Sequence, residues 1–215
     1  PLRSEAARMM GEIFRIQIER TIERHMRLQG DLQSKGIKVL SLFFIDRVAN
    51  YIRDDGLIKI LFDEAFENIK KRYPYYANWQ AAEVRKGYFA HAKPAKGEKE
   101  GTALDTEGRN ESERQAEKEA FQLIMREKER VLTFEEPLSF IFAHSALKEG
   151  WDNPNVFQIC TLNQTVSEMK KRQEIGRGLR LPVNQDGERI MDDTVNILTV
   201  VANESYEVYA ANLQN

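Results

Sequence analysis

The sequence predicts an α/β domain with a mostly parallel sheet, and three observations carry that reading. Short apolar runs rich in β-branched and aromatic residues recur at residues 37–45, 139–143, 156–162 and 195–201. Between them lie longer stretches whose apolar residues repeat at helical steps. The runs are apolar at nearly every position rather than at alternate ones. That pattern suits strands buried on both faces, as in parallel sheets covered by helices.

Ser4 to about Gln29 holds no proline and one interior glycine, with Met10, Ile13, Ile18, Ile22 and Met26 at helical steps. This predicts a long amphipathic helix with its apolar stripe on the core, ended by the stretch from Gly30 to Gly36. Arg15, Arg20 and Arg24 would suit a nucleic-acid backbone, but core packing alone accounts for the stripe. Ile37 to Ile45 is the clearest strand and is expected at the sheet centre. Asp46 and Arg47 close it, a helix follows through Tyr51, and Asp54-Asp55-Gly56 forms a turn.

Leu57 to Tyr73 reads as a helix with Ile60, Leu61, Ala65, Phe66 and Ile69 inward. Lys70, Lys71 and Arg72 in its last turn suit the helix dipole, and Pro74 ends it. A short helix over Tyr75 to Val84 and a short strand over Gly87 to His91 follow. Tyr73, Tyr75, Tyr76 and Trp79 cluster beside basic residues, a composition that serves base stacking or, more simply, packing. From Lys93 to Asn110 there is almost nothing to bury, which marks a mobile insertion. A helix from Glu111 spaces out Ala116, Ala120, Ile124, Lys128 and Val131. Strands are then expected over Ser139 to Ala143, Val156 to Leu162 and Val195 to Val201, and a helix over Glu204 to about Asn212.

A chain of 215 residues that is 41% hydrophobic supports one domain, 1–215, with a real core. A formal net charge of -2 excludes a global basic field, so nucleic-acid contact has to come from a local patch. The single cysteine, Cys160, lies inside an apolar run; this excludes a disulfide framework and fits a reducing compartment. No apolar run approaches the roughly 20 residues that span a bilayer. No signal peptide opens the chain, so a cytoplasmic location without membrane partners is expected. Neither His25 nor His91 has a ligand-spaced partner, so no metal site is expected. The chain enters its first helix directly from Pro1-Leu2-Arg3 and is expected to be a piece of a longer protein.

Chemistry is concentrated between Ser145 and Pro182. Gly150, Trp151 and Asp152 lead into Asn153-Pro154-Asn155, a turn that holds a carboxylate on a tight loop before the strand. After the strand, Thr165 and Glu168 have capping-box spacing, which predicts a helix from about Ser167 to Pro182. On it Gln173, Arg177 and Arg180 fall at i, i+4 and i+7, one face, while Gly176 and Gly178 admit a close neighbour. Guanidinium groups stay charged and present paired donors, so such a face suits charge developing on a phosphoryl group.

The spacing Gln173-x-x-Gly176-Arg177-x-x-Arg180 resembles motif six of superfamily-two helicases, and Ala146 to Asp152 resembles their motif five. The fuller strings around them more closely resemble the Res (helicase and nuclease) subunit of type III restriction enzymes. That resemblance implies a RecA-like three-layer sandwich, the second of two motor domains, with ATP in the cleft between them. It implies that Arg177 and Arg180 act as arginine fingers and that Gly150, Asp152, Gln173 and Gly176 approach the nucleotide. Asp46 and Arg47 would match motif four at the nucleic-acid backbone, where the reading from residues alone is a helix cap and an ion pair. Ser145 would contact phosphate, although His144 and Ser145 stand where many members have threonine and aspartate. Mg2+ would be held by the missing first motor domain, and the implied partners are double-stranded DNA, that first domain and the modification (methyltransferase) subunit.

No G-x-x-x-x-G-K-[ST] loop occurs, so ATP hydrolysis by this stretch alone is not expected. Asp152 with Glu168 and Lys170 loosely matches the acids and lysine of the type III nuclease, but on a helix Glu168 and Lys170 point apart. Three function classes follow: a motor domain, which the arginine spacing favours, a non-catalytic nucleic-acid-binding or regulatory module on the same fold, and an autonomous nuclease.

Overall fold

The computed structural model describes residues 2–89, 115, 118–143, 153–162, 175–176 and 178–202. They form a five-stranded sheet, every ladder parallel. In chain order the elements are α1 (Leu2–Gln33), β1 (Leu40–Ile45), α2 (Ala49–Ile52), α3 (Leu57–Ile69), α4 (Ala81–Val84), β2 (Arg85–Tyr88), α5 (Lys128–Val131), β3 (Phe140–Ala143), β4 (Val156–Leu162) and β5 (Thr199–Val201). The strands are ordered β2-β3-β1-β4-β5, which puts β1 at the centre as expected.

Every residue of β1, β3 and β4 is buried, the arrangement that continuous apolar runs require. Phe43, Phe140, Phe142 and Cys160 face one way, against Ile18, Ile22 and Met26 of α1 and Phe62, Ala65 and Phe66 of α3. Leu42, Ile141 and Ile159 face the other way, against Ala120, Leu123, Ile124 and Val131. The result is a three-layer sandwich with a long N-terminal helix, the architecture that the resemblance implies.

The differences from sequence expectation lie at element ends and have identifiable causes. Gly30 does not stop α1, which runs on to Gln33 because Leu32 packs with Ile37 and Phe157. The chain turns instead at Gly36, whose φ of 67° is cheap only for glycine. The ladder starts at Leu40 rather than Ile37, because the buried Gln29 amide takes the backbone first. Its Nε2 donates to Ile37 O at 3.1 Å, and its Oε1 accepts from Val39 N at 2.8 Å. Ile13 and Ile60, expected inward, are 46% and 40% exposed. The stripes that pack run through Phe14, Ile18 and Ile22 in α1 and through Ile58, Leu61, Phe62 and Ala65 in α3.

Helix α3 ends at Ile69, and Lys70–Arg72 and Pro74–Tyr76 form short 3-10 turns. Lys70 is the C-cap residue of α3, its N–H bonding Phe66 O, and its Nζ reaches Trp79 O at 2.8 Å and Glu67 at 2.6 Å. In place of a helix over Tyr75 to Val84, Gln80 starts the four-residue α4 through a capping box with Glu83. Strand β2 starts at Arg85, earlier than its apolar residues suggest, because Asp63 takes the guanidinium in two bonds of 2.6 and 2.7 Å. The helix expected from Glu111 ends in a π-helical turn, Gln122–Arg126, before α5. Strand β3 begins at Phe140. Val195 precedes β5 in a turn built by Asp192, which accepts from Thr194 N at 2.9 Å and Thr194 Oγ1 at 2.6 Å. The mobile insertion expected over 93–110 and the helix expected over 204–212 lie outside the described residues.

His25, Ser41 and Tyr76 form a buried polar network between α1 and the sheet. His25 Nδ1 pairs with Ser41 Oγ and Nε2 with Tyr76 OH, each at 2.7 Å, and its ring lies 4.1 Å from that of Phe140. Burial pushes its pKa down to about 3, so the imidazole is neutral and structural. Tyr76 is thus a core residue, and Tyr73, Tyr75 and Trp79 pack against the same core, which answers the aromatic cluster as packing. Burial raises the Cys160 thiol to about 12, an inert group.

Lys38, just before β1, is fully buried and donates to the main-chain oxygen of Glu136. Burial lowers its pKa from 10.5 to about 7 against the attraction of Glu136 and Glu135. Between those two pH values the unfolded chain binds more protons, so stability should rise with pH across that window; the penalty is complete below its lower end. Lys38→Met should therefore raise the urea midpoint at pH 7, and its advantage over wild type should shrink towards pH 10. A pH-independent difference between the two would show that Lys38 stays charged in the fold.

Candidate functional site

A parallel sheet fixes where the motif-bearing segments lie. The connection from β3 to β4 leaves the carboxyl edge and must return to the amino edge. Asn153, Pro154 and Asn155 stand there, immediately before β4. Asn155 is fully buried. Its backbone N–H closes the turn by donating to Asn153 Oδ1 at 3.3 Å, and its carbonyl accepts from Leu40 N at 2.8 Å. Its side chain then clamps a distant stretch: Oδ1 accepts from Val183 N at 2.8 Å and Nδ2 donates to Val183 O at 2.9 Å.

The clamped stretch carries Arg180. Backbone at 175–176 is helical, and Gly178 N bonds Ile175 O at 2.9 Å in a turn, so the helix expected to run to Pro182 stops before it. The cause is tertiary. A Cβ at Gly178 would meet the side chain of Leu198, which leads into β5, so any larger residue would require Leu198 to move. Gly176 has open space around it and is exposed, so the close approach expected of both glycines occurs only at Gly178. Arg180 consequently projects from a bend rather than from a helical face at i+7. It is exposed and has no ion pair among the described residues.

Beyond Arg180, Pro182 to Ile190 form a hairpin: Ile190 N bonds Pro182 O at 2.9 Å and Asn184 N bonds Glu188 O at 3.0 Å. Asn184 Oδ1 accepts from Asp186 N and Glu188 N, and Gly187 takes a φ of 80°. Gln185 at its tip donates to Leu132 O at 2.8 Å and to Gly36 O at 3.3 Å. Gly178 to Pro182, Pro154, Val156, Phe157 and Asn196 to Leu198 line one open groove of about 280 Å³. Leu179 and Ile197 on its rim are 67% and 53% exposed.

The site residues expected from sequence therefore separate. Gly176 and Arg180 are described at the amino edge of β4, while Gly150, Asp152, Gln173 and Arg177 lie outside the described residues. Asp46 and Arg47 are exposed just past β1, at the carboxyl edge; β4 alone puts about 20 Å between the two edges. Ser145 lies outside the described residues. The helix-cap alternative for Asp46 does not hold: Val48 occupies the N-cap position of α2 with no side-chain cap, and Asp46 and Arg47 have no ion pair among the described residues. Open parallel sheets commonly take ligands at the carboxyl ends of their strands; the Arg180 segment lies at the other edge. Asn155 and Leu198 are the residues that sequence reading missed. A buried strand preceded by two asparagines was the available signal for Asn155, but its partner is 28 residues away.

Among the described residues no group of His, Cys, Asp or Glu could hold a metal ion, and no helix is long and apolar enough to cross a membrane.

No protein-family profile matches the chain. It is 36% identical over 193 residues to the Type III restriction-modification enzyme EcoPI Res subunit of Escherichia phage P1, covering 81% of this chain and 18% of that protein. The EcoP15I Res subunit of Escherichia coli matches with the same identity and coverage. The StyLTI Res subunit of Salmonella typhimurium is 37% identical over 175 residues, or 72% of this chain and 17% of its own length. The chain thus spans less than a fifth of the curated relatives it matches. Among solved structures, the RNA-helicase Prp28 from Chaetomium thermophilum bound to ADP aligns at a TM-score of 0.35 and 16% identity, over 89% of this chain and 33% of that one. The resemblance to type III Res subunits read from the two motifs is therefore carried by most of the chain.

Proposed function

We propose that residues 1–215 are the second RecA-like motor domain of an ATP-dependent DNA translocase of the type III Res kind, supplying arginine fingers to ATP held with a first domain. The observation that carries this reading is the amino-edge arrangement. The loop that follows Asp152 and the segment that contains Arg180 are bonded to each other through Asn155 and Val183. That link supports a shared surface for the two segments, and Arg180 is exposed with no ion pair among the described residues. A guanidinium there would stabilise charge on the transferring phosphoryl group. Gly150, Asp152, Gln173 and Gly176 would border the nucleotide, and Arg177 would act beside Arg180.

At the opposite edge Asp46, Arg47 and Ser145 would meet the DNA backbone. Mg2+ would come with the first domain, which carries the phosphate loop that this chain lacks. Double-stranded DNA and a modification (methyltransferase) subunit would be the partners, in the cytoplasm.

DNA-stimulated ATPase activity tests the division of labour. The 215-residue chain alone should hydrolyse no ATP above background, and the full-length parent should turn over in the presence of DNA. Turnover by the isolated chain at the parent's rate would contradict a site shared with another domain.

A further inference from the structure

Arg180 lies between two anchors. On its amino side Gly178 is fitted against Leu198, and on its carboxyl side Val183 is held by both polar atoms of the Asn155 amide. Only Leu181 and Pro182 separate Arg180 from that second anchor, and the proline ring fixes one of the intervening dihedrals. Asn155 in turn is fixed to the sheet, since its carbonyl accepts from Leu40 N at 2.8 Å, and it is fully buried.

Resting on the motor reading above, we infer that Asn155 is the positioning residue for the arginine segment. It sets where Arg180 stands relative to the loop that follows Asp152 without touching nucleotide itself. A complementary two-bond amide clamp on one peptide unit specifies position and orientation together. No other amino acid supplies a donor and an acceptor at this reach; aspartate keeps the acceptor for Val183 N but sets a carboxylate oxygen against Val183 O. Catalysis by a placed charge is sensitive to such placement, and a displacement of about 1 Å can lower a rate on the order of 10²-fold.

The test uses the full-length parent with DNA. Asn155→Ala should lower kcat by roughly 10- to 100-fold while the KM for ATP stays within about twofold, since the clamp acts on the transition state rather than on binding. Asn155→Ala combined with Arg180→Ala should be no slower than Arg180→Ala alone, because the clamp then has no charge to place. Hydrogen exchange at residues 178–183 should accelerate in Asn155→Ala while β1 and β4 keep their protection. Asn155→Ser, which keeps a small uncharged polar group and sets no carboxylate against Val183 O, should show the same pattern and carries the test if the alanine variant fails to fold. Unchanged kcat and exchange in Asn155→Ala, or fully multiplicative losses in the double variant, would overturn the inference. A wild-type rate for Arg180→Ala, in protein whose Asn155 is intact, would instead overturn the finger reading on which it rests.

Discussion

Arg180→Ala in the full-length parent is expected to lower DNA-stimulated ATP turnover on the order of 10³-fold or more, and Arg177→Ala to do the same. The size follows from the role. An arginine finger neutralises charge that exists only as the phosphoryl group transfers, so its loss falls on the chemical step and not on nucleotide capture. For Arg180 the structure adds two reasons to expect a clean effect. The side chain is exposed and makes no ion pair among the described residues, so its removal breaks no scaffold. The backbone that presents it is anchored independently at Gly178 and Val183. A thermal midpoint close to wild type should therefore accompany the lost turnover. Arg180→Lys should recover only a fraction of it, since an ammonium lacks the planar fork.

Phe140→Ala carries the largest expected effect on stability, about 3–5 kcal/mol. Phe140 is fully buried in β3, with ring centroids of Phe62, Phe66 and Phe43 at 5.0, 6.2 and 6.3 Å. It also lies 4.1 Å from the His25 ring, so the cavity left behind would border the His25, Ser41 and Tyr76 network that ties α1 to the sheet. Urea unfolding of the chain followed by circular dichroism measures this. The comparison is Ile13→Ala, which removes an apolar side chain that is 46% exposed and should change stability by about 0.5 kcal/mol or less. Equal losses for the two would mean that the aromatic cluster is not where the fold's stability is concentrated.

The parallel sheet was legible because Leu40 to Ile45 and Val156 to Leu162 are apolar almost throughout, and such runs have few places to go except the middle of a covered sheet. Their ends were less legible because they are set by side chains remote in sequence. Gln29 decides where β1 begins, and Asp63 decides that a strand can begin at Arg85. The same holds at the site. The two motifs could be read as strings, and their order and spacing pointed to type III Res subunits, to which most of the chain is similar. Their geometry could not be read. A helix from Ser167 to Pro182 satisfied every local rule, yet it ends before Gly178, where Leu198 occupies the space a side chain would need. The clamp between Asn155 and Val183 depends on a contact that no periodicity encodes. Asn153-Pro154-Asn155 reads in sequence as a turn and nothing more.

The central claim is that the segment around Arg180 stabilises charge during hydrolysis of ATP shared with another domain. Single-turnover hydrolysis of pre-bound ATP by the DNA-bound parent carrying Arg180→Ala tests it most directly. ATP should bind with near wild-type affinity and be hydrolysed on the order of 10³-fold more slowly. Hydrolysis of the bound nucleotide at the wild-type rate would contradict the claim and leave Arg180 a role in structure or DNA binding alone.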